Sequence, residues 1–184
     1  MRRRCALLVL VLVVGTGCAD STGSPARSNG PAPASSVAWM DQLCSVADDL
    51  RTALWGSATD PGGRGDPAAL RDSFDSQLSA AATALEAAVD QLDALPADRP
   101  PGGADAATEL GDQLTALRDS VVTGQQSLAD LPPNAAEPDL GRVMGSVWPE
   151  VAARAAKPFD GVPVTDDLKA AAKGSACLAY PELH

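Results

Sequence analysis

The sequence predicts an all-α protein: an up-down bundle of four main helices with a short C-terminal helix, closed by one disulfide. Three observations carry this prediction. Apolar residues recur at spacings of three and four through most of the chain from residue 37 onward, the period of one helix face. No stretch of useful length alternates apolar and polar residues, and β-branched residues are sparse, so strands have no support. Clusters of Pro and Gly break the periodic segments and return the chain on itself. The length of 184 residues suits one folded domain.

The first element is an export signal over 1–17. Arg2, Arg3 and Arg4 form a positive head, and Ala6 to Val14 is an apolar run followed by small and polar residues. A membrane-spanning helix needs about 20 apolar residues, so this run is too short to be one. Gly15-Thr16-Gly17-Cys18 resembles a bacterial lipobox, with Gly15 standing where a large aliphatic residue is usual. The resemblance implies cleavage before Cys18 and a diacylglycerol on its thiol. The chain from Cys18 would hold 167 residues, with 11 basic and 24 acidic side chains and a formal charge of −13. One acyl chain binds a membrane marginally and several anchor stably. The lipid therefore anchors the chain to the membrane, while the acidic body stands off anionic headgroups.

Residues 18–36 hold this Cys and then ADSTGSPARSNGPAPASS, rich in Pro, Ser, Gly and Ala. Such a segment buries too little apolar surface to offset its ordering entropy, and it reads as a tether with a reach of roughly 20–25 Å. The folded body is residues 37–184.

Of four cysteines, Cys5 leaves with the signal and Cys18 carries lipid. Cys44 and Cys177 remain, an even pair in an exported chain, and an oxidising compartment favours a disulfide between them. The alternative is two separate buried thiols.

Met40, Leu43, Ala47, Leu50 and Leu54 place a stripe on a first helix over 37–56. Asp66-Pro67 is a strong start for the second, a capping carboxylate followed by Pro in the first turn. Leu70, Phe74, Leu78, Ala81, Leu85, Ala88/Val89, Leu92 and Leu95 hold its stripe until Pro96. A third helix starts at Ala104 or Asp105 and carries Ala107, Leu110, Leu114, Leu117, Val121, Leu128 and Leu131, with Gly124 at a place suited to a close crossing. A fourth starts near Pro138 with Leu140, Val143/Met144, Val147/Trp148, Val151 and Ala155, and Pro149 is expected to kink or split it. Thr165-Asp166-Asp167 caps a short fifth helix to about Lys173.

Functional patterns are scarce. The net charge of −10 argues against an electrostatic nucleic-acid binder. The single His184 is the last residue, so no His-dependent triad, no di-iron Glu-x-x-His pair and no activated Cys can be assembled. Asp48-Asp49 and Asp166-Asp167 diverge by about 100° on a helix and read as solvated faces. Asp72, Asp75 and Ser79 lie near one face without the spacing of a calcium loop. The Gly-rich stretches at 62–65 and 102–103 lack the Gly-Lys-Ser/Thr of a phosphate loop. The expectation is no catalytic residue, no metal and no cofactor.

Gly63-Arg64-Gly65-Asp66-Pro67 resembles the Arg-Gly-Asp tripeptide of adhesion proteins, but Asp66 already has a sufficient role as a helix cap. Trp39, Trp55 and Trp148 read first as core plugs between Ala-rich helices. Trp55 and Trp148 are also the candidates for the wall of an apolar ligand site.

The lipobox-like Cys18, the tether, the Ala-, Asp- and Pro-rich helical body, Trp39-Met40-Asp41-Gln42-Leu43-Cys44 and the closing Ala176-Cys177-Leu178 are together similar to small lipoproteins of high-GC actinobacteria. The resemblance implies an envelope location, on the outer face of the cell membrane, and no activity. The expected function is a non-enzymatic surface module that binds an envelope protein. The alternative is a carrier or sensor of a small apolar ligand.

Overall fold

The computed structural model describes residues 32–57 and 65–184. Five α-helices follow in order: α1 (Ala34–Ser57), α2 (Pro67–Asp93), α3 (Gly103–Asp130), α4 (Glu137–Ala156) and α5 (Asp166–Lys173). Two single 3-10 turns, Cys177–Ala179 and Pro181–Leu183, end the chain. The described residues contain no strand. This is the all-α bundle that the periodicity predicts, with the disulfide in place.

The helices begin and end where local chemistry directs. The Val37 N–H donates to the Pro33 carbonyl at 3.1 Å. That bond closes the first turn of α1 three residues before the expected start, so Ala34 to Ser36 belong to the helix and not to the tether. Asp66 caps α2 by accepting from the N–H groups of Ala68 at 3.0 Å and Ala69 at 3.3 Å, and Pro67 follows where its missing N–H costs nothing. Gly102 precedes α3 at φ 82°, and a Cβ there would stand 2.5 Å from Thr165 Cγ2. Both the backbone angle and the close approach therefore require Gly. The Thr165 hydroxyl donates to Pro101 O at 2.9 Å and accepts from Leu168 N–H at 3.2 Å, which caps α5 and ties it to the α2–α3 turn.

Antiparallel α2 and α3 form the longest shared seam, and α1 packs along α2. α4 lies against α1, α2 and α3, and α5 against α1. The interior is continuous, with Leu78, Leu85, Leu114, Val121 and Leu140 sealed from solvent. Each such burial contributes about 1.5–3 kcal/mol. Gly124 lies at the α3–α4 crossing, where a Cβ would meet Val147 Cγ2 at 2.7 Å. This is the close approach expected of it.

Pro149 does not split α4. The helix runs unbroken through it, because Pro149 is on the exposed face while Val147 and Val151 hold the buried one. Only one backbone donor is lost.

Candidate functional site

The export signal, Cys18 and the tether up to Pro31 lie outside the described residues, as do Gly63 and Arg64. Of the Arg-Gly-Asp triplet, Asp66 is in view, and its carboxylate is engaged as the α2 cap.

Cys44 and Cys177 form a disulfide with Cα atoms 5.5 Å apart, across 133 positions of sequence. Both residues are buried. The bond fastens the C-terminal tail onto α1, and two hydrogen bonds from the tail, with an Arg51–Asp48 pair within α1 supporting the second, continue that fastening. Ala176 N–H donates to Asp41 Oδ1 at 2.6 Å. Tyr180 Oη donates to Asp48 Oδ1 at 2.6 Å, and Arg51 Nη2 donates to the same oxygen at 2.7 Å. The Arg51 guanidinium stands 5.7 Å from the centre of the Tyr180 ring, and Phe159 meets that ring edge-on at 5.0 Å. Burial, and then the Asp48 carboxylate, push the Tyr180 phenol well above the usual tyrosine range. Asp48 is thus engaged by Tyr180 and Arg51 while its side chain stays partly solvated, whereas its position beside Asp49 suggests a solvated face alone. The sequence carries no periodic signal for this contact, because its partner lies in a non-helical tail.

This cluster contains charges and hydrogen bonds that complete one another. Among the described residues no group of three or more His, Cys, Asp or Glu is placed to hold a metal ion. His184 is exposed, and its N–H donates to Pro181 O at 3.2 Å.

The three Trp residues separate in role. Trp39 is the core plug, 1% exposed, with its ring against Gly103, where a Cβ would meet it at 3.3 Å. Trp55 is 52% exposed near the end of α1, and Trp148 is half-buried on α4. Two surface grooves are the most spacious of those described. One of about 430 Å³ runs between α2 and α3 beside Val89, Leu92, Leu95 and Arg99, where Gly111 leaves room. The other, about 390 Å³, lies at the α3–α4 crossing and is lined by Ser120, Thr123, Ser127 and Ser146 with Asp119 and Glu150. Neither Trp55 nor Trp148 lines either groove. The hydroxyls of Thr123, Ser127 and Ser146 are spent on carbonyls of their own helices.

Among the described residues, no helix is long and apolar enough to cross a membrane. No family model, no curated protein and no solved structure matches this chain.

Proposed function

We propose that this chain is a lipid-anchored extracytoplasmic lipoprotein whose helical bundle is a non-enzymatic interaction module at the cell surface. The reading rests first on the N-terminal pattern: a basic head, a short apolar core, Thr16-Gly17-Cys18 and a Pro/Ser-rich tether. The single structural observation that supports it is the Cys44–Cys177 bond. A disulfide between the first helix and the tail belongs to an oxidising compartment. The described bundle begins with α1 at Ala34, directly after the Pro/Ser-rich stretch of sequence. The exposed Trp55 lies 21 residues after Ala34, about 32 Å along α1 from its start.

The test is fractionation of cells expressing the full chain and its Cys18→Ala variant. The full chain partitions with membranes, and the variant is lost from them. Equal membrane retention of both overturns the anchor. Cross-linking at the surface of intact cells then identifies the protein that the bundle contacts, and a bundle that captures none contradicts the interaction role.

A further inference from the structure

We infer that α4 is a strap that opens on its own, while the rest of the bundle stays folded. Its outer face carries Gly141, Gly145 and Pro149, one residue every four positions and all exposed. A Cβ at Gly141 or at Gly145 would meet nothing within 4 Å, so no packing requirement explains either glycine. Each lowers local helix stability about fivefold relative to Ala. Pro149 has no N–H to give the Gly145 carbonyl, so one hydrogen bond of the helix is missing there. Three unfavourable residues therefore stand on one line of a single helix. Neither α2 nor α3 has a Pro beyond its first turn, and of the glycines inside α3 Gly124 is required by the close approach of Val147.

What holds α4 is its buried stripe, Leu140, Met144, Val147, Val151 and Ala155. The chain on either side is clamped separately. Arg71 Nη2 donates to Leu131 O at 2.9 Å and to Pro132 O at 2.7 Å, which pins the end of α3 to α2. After α4, Thr165 holds Pro101 O, and the Cys44–Cys177 bond secures the tail to α1. Phe159 stays with the tail through its edge-on contact with Tyr180, so the part free to leave between these clamps is α4 itself. Its departure bares the α2–α3 seam around Leu78 and Gly124, which Val147 covers.

Native-state hydrogen exchange on the chain from Cys18, with its disulfide intact, tests this. Amides of Met144, Val147 and Val151 are expected to be at least 100-fold less protected than those of Leu85 and Leu114, and to lose protection with a shallower dependence on urea. The Gly141→Ala, Gly145→Ala double variant introduces no clash and should raise protection in α4 about 25-fold. Protection and urea dependence in α4 equal to those of α2 and α3 would mean that it opens only with the whole molecule, which overturns the proposal. So would unchanged α4 protection in the double variant.

Discussion

The Tyr180 hydroxyl donates a 2.6 Å hydrogen bond to Asp48, joining the C-terminal tail to the middle of α1 across 132 positions. With the disulfide nearby, this pair makes the last residues of the chain part of the core and not a loose end. Tyr180 and Leu183 are each 2% exposed.

The pair has a consequence at alkaline pH. A phenol whose pKa is raised by folding stabilises the folded state below the ordinary tyrosine value of about 10, and that contribution is lost as pH rises past it. Tyr180 is the only tyrosine in the chain, so phenolate absorbance reports it alone. The absorbance should stay low past pH 10 and rise together with unfolding. A simple titration of the folded protein at the ordinary value would falsify the buried pair. Tyr180→Phe should lower stability at pH 7 by about 1–3 kcal/mol, and the loss should shrink as pH passes 10.

Reduction of the disulfide, or the Cys44→Ser, Cys177→Ser double variant, should cost about 2–4 kcal/mol in urea unfolding. A loop of this length favours the upper part of that range, because the cross-link restrains most of the unfolded chain. An unchanged unfolding midpoint after verified reduction would show that the bond contributes nothing.

At the α3–α4 crossing, Gly124→Ala should destabilise by about 1–3 kcal/mol, since the new methyl meets Val147 at 2.7 Å. Adding Val147→Ala removes the clashing group. The double variant should therefore be less destabilised than the sum of the two single variants, by a coupling of about 0.5–3 kcal/mol. Strict additivity in this cycle would deny the contact.

Asp66→Ala should cost about 1 kcal/mol through loss of the α2 cap, and Asp66→Asn should cost much less, because the amide oxygen still accepts from Ala68 and Ala69. Thermal unfolding of the two variants compares them. Equal losses would show that the charge, not the cap, matters at this position.

The bundle was legible because its helices bury one face each. Leu70, Phe74, Leu78, Ala81, Leu85, Ala88 and Leu92 are periodic in sequence and all are buried on α2. Asp66-Pro67 and Thr165 mark starts by residue type alone. The phase of α1 also separates two Trp residues that stand at its opposite ends. Trp39 lies four positions before Leu43 and joins the buried face, while Trp55 falls one position past Leu54 and turns outward. The tail was not legible. Phe159, Val162, Tyr180 and Leu183 are buried from loops and 3-10 turns, where no period announces burial. Ala34-Ser35-Ser36 has the composition of a linker, so the sequence places the start of α1 at residue 37, and only the Val37 N–H bond to the Pro33 carbonyl shows that the turn is already closed. Pro149 by its residue type predicts a break in α4, and the buried Val147 and Val151 on the opposite face carry the helix through it.

Lipid anchoring at Cys18 is read from the intact mass of the protein purified from the membranes of cells that make it. The expected protein begins at Cys18 and carries the mass of a diacylglyceryl group, less two hydrogens lost to the Cys44–Cys177 bond. A chain that begins elsewhere, or one that begins at Cys18 with an unmodified thiol, would contradict that anchoring.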